Sequence, residues 1–257
     1  MSGKSVRIVR LLLLLCLLSG CVQAEPTPSA STAREELPDE TGISVYGQTK
    51  AAFERLEREA GADDGGAMLR EAMDSLYSLI SREESLALSS DQFRALSDGL
   101  QVFEAGEVKI FAYRGSPLVF GEAGDSGYAY LQLHVGGKPR VHAIFEAEAR
   151  QVWDVLWTGD GAAILYGVET LRPRQAFADR ISWDGDQTKI EPAAAPHDDE
   201  WWSIPSGLDV IMRTDGAAVE TYIQELDEER MVVGSGDGKW LILTWNERSM
   251  KYEVSPK

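Results

Sequence analysis

Cysteine is almost missing from this chain: two in 257 residues, Cys16 and Cys21, both within the first 21 positions. From residue 22 onward a nucleophilic thiol, CxxC redox chemistry, a disulfide and a cysteine zinc site are therefore excluded. An oxidising compartment makes no demand on such a body. Histidine is nearly as scarce, with three residues. No GxSxG elbow, HExxH helix, Walker loop or GxGxxG after a strand occurs, so the usual marks of serine hydrolases, zinc proteases and nucleotide binders are absent, and no cofactor is expected. Basic residues are outnumbered, 25 against 42 acidic ones. A chain this acidic is repelled by phosphate backbones and anionic headgroups, which removes nucleic acid from the expected partners. Long apolar runs are missing as well: residues 11–18 form one that is too short to span a bilayer comfortably.

That run sits in a recognisable setting. Lys4, Arg7 and Arg10 precede it, and Leu18-Ser19-Gly20-Cys21 follows. The order of charged start, apolar core and small residues before cysteine marks a targeting segment. It resembles the lipobox of bacterial lipoproteins. The resemblance covers the first 21 residues and implies cleavage before Cys21, acylation of its sulfur, and a lipid-anchored protein on the extracytoplasmic side. Val22 carries no inner-membrane retention signal, so the outer membrane is implied for a host that has one. Two acyl chains suffice for stable anchoring at ~0.8 kcal/mol per buried methylene. The competing reading is an ordinary secretory signal cut near Ala24.

Residues 22–42 are rich in Pro, Ser, Thr, Ala and Glu and poor in large apolar side chains, the composition of a flexible tether. A coil of that length spans roughly 25 Å. Removing the signal takes three basic and no acidic residues, leaving 22 against 42, a net charge of −20.

The body begins with helical spacing. Between Ile43 and Ala60, Val45, Thr49, Ala52/Phe53, Leu56 and Ala60 define one stripe, and Met68/Leu69, Ala72/Met73, Leu76 and Leu79/Ile80 a second. A third short helix is expected to start at Ser89, with Gln92 closing a capping box and Gly99 as its stop. The helical part covers 43–99. From residue 100 the pattern turns to strands: 108–113, 118–120, 128–135 and 141–145, separated by glycine-rich turns. Pairing Val135 with Val141 puts Leu131 and Leu133 on one apolar face. The other face then carries His134 across from His142, with Glu146 further along. Two imidazoles and a carboxylate are zinc or copper ligands. Exposed polar faces collect such pairs by chance, which is the preferred reading, so no metal is expected, and His134, His142 and Glu146 are the set that would hold one.

The strongest pattern lies further on. Residues 154–169, DVLWTGDGAAILYGVE, reappear after 55 positions as 209–224, DVIMRTDGAAVETYIQ. Trp183-Asp184 with Lys189-Ile190-Glu191 is matched by Trp245-Asn246 with Lys251-Tyr252-Glu253. Asp-Gly between apolar runs is a hairpin signal, so each copy (152–192 and 207–254) reads as a small antiparallel meander. Calcium ligation would need alternating oxygen ligands closed by a bidentate Glu, which neither copy has. Residues 225–230, ELDEER, read as a longer hairpin and not a site. Between the copies lies EPAAAPHDDEWWSIP, 191–205, where prolines predict an irregular linker. Its Asp198 and Asp199 beside Trp201 and Trp202 are candidate ligand-binding residues, indole faces for a sugar ring and carboxylates for its hydroxyls. The reading preferred over that one is a linker pinned to the sheet by its tryptophans.

The paired W-D-G and D-G hairpins of residues 150–257 resemble VCBS or FG-GAP blades of bacterial surface propellers. They lack the Asp-rich calcium loop, and two or three units are too few to close a ring of four or more blades. The expected fold is α+β, mostly β: a small helical part, then antiparallel meanders over 100–257 with an internal duplication, as a sandwich, partial barrel or open stack. The expected function is a membrane-anchored, non-enzymatic binding, sensing or assembly module, with an envelope protein or carbohydrate as partner. The alternative is an envelope hydrolase acting on carbohydrate through carboxylates that no spacing singles out.

Overall fold

The computed structural model describes residues 44–59, 65–114, 126–159, 161–170, 174–198, 202–204, 209–214 and 217–254. Helices α1 (Val45–Arg58) and α2 (Gly65–Ile80) bury most of the two stripes read from the sequence: Val45, Thr49, Phe53 and Leu56 on one, with Ala52 half-buried and Ala60 outside the described residues, and Met68, Leu69, Ala72, Met73, Leu76, Leu79 and Ile80 on the other. Ser44 caps α1 by accepting from Gly47 N at 2.9 Å, and Thr49 Oγ1 ties the pair by donating to Ser75 O at 3.1 Å. A 3-10 turn (Glu83–Ala87) leads to α3 (Ser90–Arg94), where Ser89 and Gln92 form the expected capping box. This helix ends at Arg94, ahead of Gly99.

Sixteen strands follow among the described residues. Sheet 1 runs β1 (Leu100–Ala105), β2 (Val108–Tyr113), β3 (Gly127–Val135), β4 (Lys138–Glu148) in order. Sheet 2 is built on β5 (Arg150–Trp157), β6 (Ala162–Glu169), β7 (Gln175–Asp184) and β8 (Gln187–Pro192). It continues from β7 through β11 (Asp209–Thr214) to β10 (Trp202–Ile204) and β9 (His197–Asp198), with β12 (Ala217–Val219) on β11. Sheet 3 is the meander β13 (Thr221–Leu226), β14 (Arg230–Ser235), β15 (Trp240–Asn246), β16 (Lys251–Val254). Every pairing between these strands is antiparallel, and none of the three closes into a barrel.

The layers explain the burial. The even-numbered residues Tyr128 and Tyr130 of β3 pack with α1 and α2 in one core, beside Phe93 and Phe111. The odd residues Ala129, Leu131 and Leu133 pack with Val152, Leu165, Phe177 and Ile181 of sheet 2 in a second. The opposite face of sheet 2, with Ile164, Ala176 and Ala178, packs on Met231, Val233, Leu243 and Tyr252 of sheet 3 in a third. The order is therefore helices, sheet 1, sheet 2, sheet 3. Central strands of the inner layers are buried on both faces, as along β2 and β6, and β3 is buried without interruption over residues 127–133. Sheet 3 alternates buried and exposed along β13 and β15, as a sheet with one wet face must.

Three sequence expectations change. The β3–β4 turn is the two-residue pair Gly136-Gly137, both at positive φ (60° and 82°), so Val135 pairs with Lys138 and not Val141. That moves the register by three residues, and His134 faces Pro139 while His142 faces Leu131. The described residues of the 191–205 linker include regular structure: β8 runs to Pro192, Ala193 and Ala194 are buried, and Ala194 bridges Tyr252. Tyr252 N donates to Ala193 O at 2.8 Å. Lastly, the hairpins β5–β6 and β11–β12 stand at places related by 55 residues with registers one residue apart, Trp157↔Ala163 against Met212↔Val219. The first continues directly into β7, whereas β13 and β14 intervene in the second. The expected strand at 118–120 lies outside the described residues.

Candidate functional site

The concave feature with the most chemistry lies where one end of sheet 3 meets the β5–β6 turn. It is a cleft of about 710 Å³ lined by Thr158, Glu228, Glu229, Thr244, Trp245, Glu247, Met250 and Tyr252. Trp245 stands at the end of β15, half-buried, its indole edge-on to the Tyr252 ring with centroids 5.0 Å apart. Tyr252 is fully buried, and its hydroxyl donates to Asp227 O. Burial, then the charge of Asp227, pushes that phenol up, which keeps it a donor.

Two turns set the carboxylates. In the β13–β14 turn Asp227 Oδ1 accepts from Glu229 N at 2.8 Å and Arg230 N at 2.7 Å, an Asx turn of the kind aspartate favours. Trp245 N donates to Glu229 O at 2.8 Å, which fastens this turn to the indole. In the β15–β16 turn Asn246 Oδ1 accepts from Arg248 N at 2.9 Å, and Met250 takes a positive φ of 55°. Ser249 Oγ and Asn246 Nδ2 donate to Glu253 at 2.7 and 2.8 Å, holding that carboxylate below its usual range. Glu228, Glu229 and Glu247 are thereby exposed around one indole on ordered turns, and none of the residues lining this cleft is basic.

A second acidic cluster is structural. Arg150 Nη1 meets Asp179 Oδ2 at 3.0 Å, Nη2 meets Glu169 at 3.0 Å, and Nε meets Glu148 at 3.3 Å. The guanidinium carbon lies 5.0 Å from the centre of the Phe177 ring. Asp179 is 1 % exposed, and its Oδ1 has no partner. Burial pushes the Asp179 carboxyl up to about 7; Arg150 pulls it back only in part, and Glu148 and Glu169 raise it further. Through these contacts the group ties β4, β5, β6 and β7 together.

The residues singled out by sequence fall elsewhere. His134 Nδ1 lies 3.6 Å from Glu107 on the helix side of sheet 1, and His142 lies on the side of Leu131, its buried Nε2 without a partner. Glu146 is paired with Tyr128 and faces the helices; its charge helps burial raise the Tyr130 phenol. A strand rises ~3.4 Å per residue, so Tyr128 and His134, six residues apart along β3, stand roughly 20 Å apart. The three are not brought together, and among the described residues no group of three such side chains converges on a metal position. Asp198 and Trp202 fall on β9 and β10, whereas Asp199, Trp201 and Cys21 lie outside the described residues. Glu228 and Glu229 belong to the 225–230 segment that the sequence presents only as a hairpin. Asx-turn chemistry at Asp227 is the signal that fixes them.

No family model, curated protein or solved structure matches this chain. No helix among the described residues is long and apolar enough to cross a membrane.

Proposed function

We propose that the chain is a binding module of the bacterial envelope, anchored by a lipid on Cys21 and spaced from the bilayer by residues 22–42. Its Trp245 cleft takes the ammonium or guanidinium group of a partner. One observation carries the ligand class: an indole bordered by Glu228, Glu229 and Glu247 with no basic side chain in the lining. An aromatic face attracts a cation by ~0.5–2 kcal/mol, and carboxylates around a concavity concentrate positive charge there. Titration with lysine- and arginine-containing peptides, followed by indole fluorescence, tests this. Trp245→Ala is expected to weaken binding about tenfold. Glu229→Gln with Glu247→Gln should remove most of its salt dependence. Equal affinity for an acidic peptide would refute the reading.

The same carboxylates support the hydrolase alternative. Release of reducing ends from a polysaccharide, abolished by Glu228→Gln, Glu229→Gln or Glu247→Gln, would replace the first reading. The anchor has its own test. Cys21→Ala should move the protein from the membrane fraction to the soluble one, and an unmodified Cys21 in the mass spectrum of the membrane form would exclude acylation.

A further inference from the structure

Sheet 3 is the outermost layer, and its solvent face carries an apolar strip separate from the cleft. Trp240, Ile242 and Tyr222 are 52 %, 49 % and 37 % exposed. They form ranks across the sheet: Tyr222 pairs with Gly234 and Gly234 with Trp240, while Val232 pairs with Ile242. Gly234 is the reason the first rank is flat. A Cβ there would stand 2.9 Å from Tyr222 Cζ and 3.0 Å from its hydroxyl oxygen. The phenol ring therefore lies over the glycine, reaching from β13 toward β15. Alternation along β15 places Leu241 and Leu243 inward and Trp240, Ile242 and Thr244 outward.

The border of the strip is polar. Arg230 Nη2 and Glu225 Oε1 are 2.5 Å apart at one end. At the other, Lys239 Nζ lies 3.6 Å from Asp237 Oδ2, in the turn that Ser235 also joins. Aromatic faces flanked by a few fixed donors and acceptors are the composition of small-ligand sites.

Size and charge select the occupant. Three side chains exposed to this degree present roughly 300 Å², well short of the ~800 Å² per partner of a stable protein interface. A nucleic-acid strand or an anionic membrane is opposed by the formal charge of −17, since like charges repel over a Debye length. What fits is a flat, uncharged ring with an apolar face and hydroxyls at its rim. With the phenol drawn over Gly234 on β14, it stands one strand spacing, roughly 5 Å, from the Trp240 column, the step from one pyranose ring to the next in a linked chain.

We propose that the Tyr222–Gly234–Trp240 face of sheet 3 binds an uncharged polysaccharide strand, two successive rings resting on the phenol and the indole. The site does not depend on the cleft at Trp245. Co-sedimentation of the full-length protein in detergent with insoluble cellulose and chitin, over a range of protein concentrations, tests it. The wild type is expected to sediment saturably with at least one of them. Trp240→Ala and, separately, Ile242→Ser should lose tenfold or more in affinity. Glu229→Gln, in the cleft, should sediment like the wild type. Both strip side chains are about half exposed, so circular dichroism of either variant should match the wild type, and either alone is sufficient to judge. Absence of sedimentation with both polymers, or undiminished sedimentation of a folded strip variant, overturns the proposal. So does self-association of the wild type that Trp240→Ala abolishes, because the strip is then a contact between copies.

Discussion

Exchanging Arg150 for methionine is expected to lower stability by about 3–5 kcal/mol, the range for removing one partner from a buried ionic group. The side chain is 7 % exposed and meets Asp179, Glu169 and Glu148 at once. Methionine takes the guanidinium away from those carboxylates, and Asp179 already has one buried oxygen without a partner. Urea unfolding of the two proteins measures the difference. A loss under about 1 kcal/mol would rank the group with ordinary surface ion pairs.

The same network gives a pH dependence of definite sign. Asp179 is held at about 7 in the folded protein, above the ~3.9 of an unfolded aspartate. A carboxyl raised on folding favours the fold in its protonated form. Its contribution is whole below about pH 4 and is lost as pH rises toward 7, at no more than ~1.4 kcal/mol per pH unit. Asn at this position does not titrate. The stability of the wild type minus that of Asp179→Asn should therefore fall between pH 4 and pH 7. Parallel curves would show that Asp179 is ionised throughout.

Gly167→Ala is expected to cost about 3 kcal/mol or more, the upper end of the range for overpacking. A Cβ at Gly167 would stand 1.9 Å from the carbonyl oxygen of Gln151. That atom belongs to the backbone of β5, which pairs with β6 through this segment, so no side chain can rotate away. Gly127 stands in the same relation to Arg150 O, at 1.8 Å. Gly136→Ala is the control, because its Cβ would meet nothing within 4 Å and only the φ of 60° opposes it. That penalty is ~1–2 kcal/mol. Equal losses at Gly167 and Gly136 would mean that the strands separate without strain.

Periodicity and capping were legible in the amino acids, and depth was not. The stripes of α1 and α2, the Ser89–Gln92 box, and strands β2 and β3 follow from spacing because burial repeats with the local period. The Gly136-Gly137 pair carried the two-residue turn signal; placing the turn further along moved the register and set His134 against His142. The strip on sheet 3 was hidden for another reason. Trp240, Ile242, Leu241 and Leu243 are all apolar, so alternation along β15 cannot tell which pair faces water until the neighbouring layer is known. Arg150 and Asp179 lie 29 residues apart in the chain, and no local pattern announces a contact of that kind.

Stacking also imposes an order of arrival. A chain emerging N-terminus first from the ribosome would complete the helices and sheet 1 first, then present Ile164, Ala176 and Ala178 of sheet 2 bare. The stretch 221–254 covers them together with Ala193 and Ala194, and the last strand closes this core by locking Tyr252 onto Ala193. Premature termination anywhere in that stretch would release a half-roofed body, sticky along the surface that the final hairpins exist to hide.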